Sequence, residues 1–197
     1  DSAMNYDFRR YCRRFFAEET VGAETFDANV STLLLRYREN ALYAQLNLLD
    51  SHDVSRYLTL CGENIDKMEL SVLLQMTFPG MPCVFYGDEK GLYGTTESEY
   101  RQAMAWDKNH ALEEIYRSMI ALRKEHSALR YGNFRTIVAS NSVYSYSRTW
   151  NDKEITVTMN LGAAPIQAPK HGRLLLKKGK NHDIIGAWEY EVREEQI

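Results

Sequence analysis

Cysteine is scarce and unpatterned. The three present, Cys12, Cys61 and Cys83, lie far apart and form no C-x-x-C pair. That argues against a disulfide framework or a zinc site. Small buried hydrophobes in a reducing compartment are the expected role. There is no internal repeat, low-complexity tract or long linker. No apolar run approaches the ~18–20 residues that cross a bilayer. The chain does not open on a charged n-region followed by an apolar stretch, although a leader already removed leaves no trace in such a sequence. Neither charge sign dominates: the formal net charge is −3, with 26% charged residues. The densest basic cluster, Lys177-Lys178 with Lys180, is too short for a nucleic-acid face. With 44% hydrophobic residues over 197 positions, the chain has material for a sizeable core.

That material is periodic. From Tyr6 to Glu19 the apolar residues Phe8, Tyr11, Cys12, Phe15 and Phe16 recur at i, i+3, i+4, i+7 and i+8, one stripe of an amphipathic helix. Arg9, Arg10, Arg13 and Arg14 fall on its other faces and are expected in solvent. A second helical pattern runs from about Asp27 to Ala44. Leu46-Asn47-Leu48-Leu49 then reads as a short buried strand opening into Asp50-Ser51-His52-Asp53. A third helix carries Ile65, Met68, Val72, Leu73 and Met76, and Pro79-Gly80-Met81-Pro82 ends it. Cys83-Val84-Phe85-Tyr86 is the next expected buried strand, followed by Gly87-Asp88-Glu89. A fourth helix is expected from about Ala111 to Glu125. Helix and strand therefore alternate over residues 1–128, which predicts parallel βα units. Both strands deliver carboxylates just past their C-terminal ends, where α/β folds place chemistry. Residues 129–197 differ. Ile155, Val157, Met159 and Leu161 alternate with Thr156, Thr158 and Asn160, the period of a half-buried strand. Asn151-Asp152 marks a hairpin before it. Val143, Tyr144 and Tyr146, then Leu174-Leu175-Leu176, then Trp188, Tyr190 and Val192, supply more strand. This half reads as a small antiparallel β domain.

Ser51-His52-Asp53 is the sharpest chemical feature. Consecutive residues of an extended loop point different ways, so a Ser-His-Asp hydrogen-bond relay is not expected. No further His or Cys lies near enough in sequence to make His52 and Asp53 a metal site. A pair that grips hydroxyls or steadies positive charge remains open beside a plain loop-capping aspartate. Asp88-Glu89, taken with Asp53, could form the two-carboxylate set of a glycosidase. Equally, Gly87-Asp88-Glu89 could be a structural turn whose acids pair with Arg56 or Arg101. Tyr86, Tyr93, Tyr100 and Trp106 cluster around the same loops, and their faces suit sugar rings as well as a core.

Longer motifs narrow these readings. Asn47 through Arg56, NLLDSHDVSR, resembles the fourth conserved region of the α-amylase family. Phe78 through Glu89, FPGMPCVFYGDE, resembles its eighth-strand signature, and Arg101 through Trp106-Asp107 resembles the loop after it, with Ala103 where proline is usual. Leu122 through Gly132 resembles the last helix and the exit into a C-terminal β domain. Asp1 through Tyr6 resembles the end of strand six. Ser51, where many α-amylases carry Asn, the Met4-Asn5-Tyr6 opening and the Leu129-Arg130-Tyr131-Gly132 exit resemble the neopullulanase, cyclomaltodextrinase and maltogenic amylase branch.

The resemblance implies the C-terminal part of a (β/α)8 TIM barrel, about strands six to eight, over residues 1–128. A small antiparallel β-sandwich domain follows over 129–197. It implies a retaining glycoside hydrolase acting on α-1,4 bonds, with α-1,6 bonds left open, of starch-type glucans, maltooligosaccharides or cyclodextrins. The alternative is a non-catalytic module sharing the fold, as in transporter heavy chains. Asp53 would be the transition-state-stabilising carboxylate, with His52 and Arg56 binding substrate. Asn5, Tyr6, Tyr86, Asp88, Glu89, Arg101 and Trp106 are structural or rim candidates. The family's nucleophile Asp and acid Glu, after strands four and five, have no counterpart among these residues, so the chain alone is expected to be inactive. No metal or cofactor is expected in this part, and any calcium belongs to the rest of the parent. The expected partners are an α-glucan oligosaccharide and either a second copy or the remainder of the barrel, with no nucleic acid and no membrane. A cytoplasmic, bacterial-type location is expected, with a secreted parent left open.

Overall fold

Asn5 starts the first helix, α1 (Tyr6–Cys12), by accepting the Phe8 N–H at 3.1 Å, which satisfies one of the orphan donors of a helix start. The helix runs on into a π-helical turn, Arg13–Ala17. The predicted stripe Phe8, Tyr11, Cys12, Phe15 and Phe16 is buried throughout. The computed structural model describes residues 2–197; Asp1, the first residue of the opening motif, lies outside them.

Two helices follow, α2 (Ala23–Arg36) and α3 (Glu39–Tyr43), where the sequence predicts one. Tyr37 and Arg38 are extended, and the separate α3 lets the Tyr43 hydroxyl donate to Gly132 O at 2.6 Å. A tertiary contact here overrides a continuous local pattern. Strand β1 (Leu46–Leu48) and the short α4 (Tyr57–Leu60) lead to α5 (Ile65–Thr77). Asn64 caps α5 by accepting from Asp66 and Lys67 N–H.

Strand β2 (Met81–Cys83) corrects the sequence reading, which places a buried strand over Cys83–Tyr86. Its residues are half-buried or exposed, with Met81 43%, Val84 38% and Tyr86 40% accessible. The reason is position: β2 pairs only with β1 among the described residues and forms an open edge. The pairing is parallel, Leu46 against Met81 and Leu48 against Cys83. Met4 makes a further parallel bridge to Leu46. Three chain segments therefore leave one small sheet at the same end, as the parallel βα reading requires.

The α6 turn (Glu97–Tyr100), the fourth predicted helix α7 (Ala111–Glu125) and the short α8 (Ser127–Tyr131) complete this part. The rest is antiparallel. Strands β3 (Asn133–Ser140), β4 (Val143–Trp150), β5 (Lys153–Asn160), β9 (Glu189–Gln196) and β7 (Arg173–Lys178) form one sheet in that order. A ribbon of β6 (Ile166–Gln167) and β8 (Ile184–Ile185) lies beside it. The predicted hairpin at Asn151-Asp152 joins β4 to β5, with Asn151 at φ 54°.

A chain of aromatic contacts crosses from the helices into this sheet. Phe8 meets Phe78, Phe78 meets Phe134, and Phe134 stacks on Tyr146 at 4.8 Å between ring centres. Tyr144 in turn meets Phe26, which stacks on Phe15 at 4.4 Å. Two arginines, Arg148 buried and Arg123 partly buried, fasten the same junction. Arg123 of α7 donates to Met76 O and Leu129 O, and Arg148 of β4 donates to Gly132 O, Leu129 O and Thr77 O. Burial lowers both guanidinium pKa values to about 10, so both stay charged at neutral pH and satisfy carbonyls that would be costly to leave bare. Lys177 pairs with Glu191, and Lys178 with Asp66 and Glu69. Two of the three lysines of the basic cluster are thus spent within the fold. Among the described residues no helix is long and apolar enough to cross a membrane.

Candidate functional site

The rim is built where the three parallel segments end. The first supplies Asn5 and Tyr6. Asn5 is buried and donates to Asn47 Oδ1 at 2.8 Å, so it caps α1 and braces β1. The Tyr6 hydroxyl lies 3.0 Å from Ser51 Oγ. The loop after β1 supplies Asp50 to Arg56, and the loop after β2 supplies Tyr86 to Arg101. The two loops that carry the predicted carboxylates therefore share one face of the sheet.

His52 and Asp53 stand at the outside of this face, their side chains 67% and 56% exposed. His52 Nε2 lies 3.2 Å from Asp53 Oδ1, and the Asp53 N–H donates to Ser51 Oγ at 3.2 Å. Ser51 Oγ thus engages Tyr6 and the Asp53 backbone, and no Ser-His-Asp relay forms. Arg101 holds the loop from the other side, donating from Nε to His52 O at 2.9 Å. Its Nη2 remains 3.8 Å from Asp53 Oδ1, and Nη1 pairs with Glu97 at 2.5 Å. Asp53 is steadied without being covered. Trp106 is 77% exposed on the segment that follows.

Arg56 corrects the sequence reading. Expected to touch substrate, it is fully enclosed, with 0% of its side chain exposed. Nη1 donates to Tyr86 O at 2.7 Å and to Asp88 Oδ1 at 3.0 Å, and Nε donates to Tyr100 O at 3.1 Å. The guanidinium also lies over the Phe85 ring, 4.3 Å from its centre, a favourable cation–π position. It is a strut between the two loops and offers no surface to a sugar. Asp88 goes with it: buried and paired with Arg56, it is not a rim acid. Glu89 Oε2 accepts the Gly87 N–H at 3.0 Å, which closes the turn. That turn needs Gly87, whose φ is 85° and where an added Cβ would strike the Leu92 side chain. Tyr86 is held by its hydroxyl, which donates to Gln102 O at 2.8 Å. The structural-turn alternative describes Asp88 and Glu89; the glycosidase pair with Asp53 does not form from them.

Sequence reading missed two residues beneath this rim. Arg9, assigned to solvent, is buried and donates to Leu49 O at 2.7 Å and Ser55 O at 2.9 Å. Asp50 is also buried and accepts the Tyr57 N–H at 2.8 Å. The available signal was position: Asp50 directly follows the apolar pair Leu48-Leu49, so the chain is still inside when it reaches Asp50. The cysteines are free. Burial pushes the Cys12 thiol up and that of Cys61 to about 12, so neither is a thiolate at neutral pH. Among the described residues no three His, Cys, Asp or Glu side chains converge in a way that could hold a metal ion.

Residues 1–111 match the family model described as the alpha amylase catalytic domain. Neopullulanase 2 of Thermoactinomyces vulgaris is 42% identical over 165 residues, 81% of this chain and 28% of that protein. Cyclomaltodextrinase of Thermoanaerobacter pseudethanolicus is 34% identical over 163 residues, again 81% of this chain and 28% of the relative. Among solved structures, the debranching enzyme of Nostoc punctiforme superposes with a TM-score of 0.87 at 27% identity, over 98% of this chain and 46% of the other. The chain thus spans less than a third of the length of these two curated relatives.

Proposed function

The chain belongs to the α-amylase family, and from that premise we propose that it is part of a retaining glycoside hydrolase that cleaves α-1,4 and α-1,6 bonds of starch-type glucans, maltooligosaccharides or cyclodextrins. The observation that carries this is the exposed Asp53, presented beside His52 at the C-terminal end of a parallel strand on a rim shared with the loop after β2. An anion held open on such a rim stabilises the positive charge that develops on a sugar ring during glycosidic cleavage. The neighbouring imidazole hydrogen-bonds ring hydroxyls, and the exposed faces of Tyr86 and Trp106 suit the apolar faces of sugars.

One exposed carboxylate cannot both attack the anomeric carbon and protonate the leaving oxygen. Asp88 is buried against Arg56 and Glu89 closes its own turn, so neither supplies the second group. The 197-residue chain, incubated with maltotriose and a cyclodextrin, will therefore show no hydrolysis. Turnover above ~1 s⁻¹ that Asp53→Ala abolishes would contradict this and assign a catalytic role to another carboxylate of the chain.

The open edge at β2 carries the partner proposal. Met81 and Val84 are exposed along it, beside a groove of about 710 Å³ lined by Phe85, Tyr116 and Ile120. At ~25 cal/mol per Å², leaving such a face wet forgoes a large part of a domain's stability. The face is covered by the remainder of a barrel or, in its absence, by a second copy. Sedimentation of the chain at micromolar concentration will show self-association. A monomer that binds no apolar dye would count against it.

A further inference from the structure

Beneath the rim, the two loops meet over a cluster of charges that the proposed chemistry does not use. Asp50 and Asp88 are enclosed, their side chains 1% and 2% exposed, and Asp50 stands close enough to Asp88 to push its pKa up. Asp50 Oδ2 accepts the Tyr57 N–H. Asp50 Oδ1 is buried with no hydrogen-bond partner. The cation nearest to it, Arg9, stands 4.0 Å away, and its Nε and Nη2 are committed to Leu49 O and Ser55 O. Arg56 spends Nη1 on Asp88 Oδ1 and Tyr86 O and Nε on Tyr100 O, and its Nη2, buried as well, makes no hydrogen bond. No N–H reaches Asp50 Oδ1. The other titratable groups facing the cluster are Tyr57 from α4, Tyr116 from α7, Cys61, Cys83 and Glu89. None of them donates to that oxygen.

A carboxylate oxygen buried without a donor is strongly disfavoured. A proton on Asp88 removes the deficit, because a carboxylic acid can accept from Arg56 through one oxygen and donate to Asp50 through the other. We propose that Asp50 and Asp88 hold one proton between them at neutral pH, so that an acid–carboxylate hydrogen bond joins the loop carrying Asp53 to the turn after β2. This goes beyond the glycosidase reading and does not depend on it. Burial raises the pKa of both groups, that of Asp88 well above the carboxylate range and further because of the charge on Asp50. The two titrate as a pair.

The sign follows from linkage. The folded pair binds its proton more tightly than the unfolded chain does, so its contribution to stability is fully present below the ordinary carboxylate range. It declines as the pH rises toward the folded value. Asp88→Asn keeps both hydrogen bonds, since the amide oxygen accepts from Arg56 and the NH₂ donates to Asp50, but it has no proton to lose.

Two measurements on the 197-residue chain test this. In the wild type, infrared spectra at pH 7 will show the carbonyl-stretch band of a neutral carboxylic acid, and Asp88→Asn will remove it. Denaturant melts across pH will show a wild-type stability that falls from acid to neutral pH and an Asp88→Asn variant in which that fall is flattened. Absence of the acid band at pH 7, or its persistence in Asp88→Asn, overturns the proposal. So does failure of Asp88→Asn to fold, because the amide supplies both bonds that the acid is said to make.

Discussion

Arg56→Ala lowers the unfolding free energy of the protein by about 3–5 kcal/mol, the cost of taking the cation from a buried pair of carboxyls that share one proton and carry one negative charge. The size follows from what the side chain holds. Its removal leaves the Tyr86 and Tyr100 carbonyls without their donor and takes from Asp88, itself 2% exposed, its ion-pair partner. It also empties the space over the Phe85 ring, adding a cavity term. A typical domain holds only ~5–15 kcal/mol in total, so the variant sits near the edge of folding. Arg56→Lys recovers only part of the loss, because a point charge cannot serve two carbonyls and a carboxylate from one plane. The deficit grows with pH: once Asp88 ionises it is a buried anion without a counter-ion, whereas at acid pH it is neutral and loses less. Urea denaturation at pH 5 and pH 8 measures both the size and the slope. A loss below ~1 kcal/mol, equal at the two pH values, would show that Arg56 is not the strut between the loops.

The fold was legible where one signal dominated. The stripe from Phe8 to Phe16 reads as a helix because every member is buried on the same core, and α7 and α5 begin and end where their caps and the Pro79-Gly80 break suggest. The alternation through Val157 and Met159 announced β5 for the same reason. Reading failed where partners distant in sequence decide. Nothing in the pattern at Tyr37 reveals that Tyr43 must reach Gly132. The shift of β2 toward Met81 depends on its register with Leu46 and Leu48. At the site, the order Asp50-Ser51-His52-Asp53 identified the loop but not which acid faces out. Asp50 and Asp53 are the same residue type three positions apart, yet one is buried and the other more than half exposed. Arg9 was read by its charge as a solvent group, and Arg56 either as a substrate contact, from the family resemblance, or as a partner for the acids of the turn after β2. Each is buried because backbone carbonyls distant in sequence, at Leu49 and Ser55 for Arg9 and at Tyr86 and Tyr100 for Arg56, converge on it. Such convergence is visible only in three dimensions.

Asp53→Asn, made in the intact enzyme that contains this segment, will lower kcat by about 10³-fold, on the scale of removing one preorganised electrostatic group from a transition state. KM will change little, because charge on the sugar develops in the transition state and is nearly absent from bound substrate. The fold will be indifferent: Asp53 is exposed, its nearest cation Arg101 stands at 3.8 Å, and the loop is held by Arg101 to His52 O and by Ser51. Surface changes of this kind stay within ~0.5 kcal/mol. The most direct measurement of the whole account is therefore the pair of steady-state constants for maltotriose hydrolysis by wild type and Asp53→Asn, taken beside their melting curves. The account predicts a kcat reduced about 10³-fold, KM within a few-fold and unchanged melting. A normal kcat with a raised KM would contradict it, leaving Asp53 a substrate grip and the charge-stabilising role to some other group.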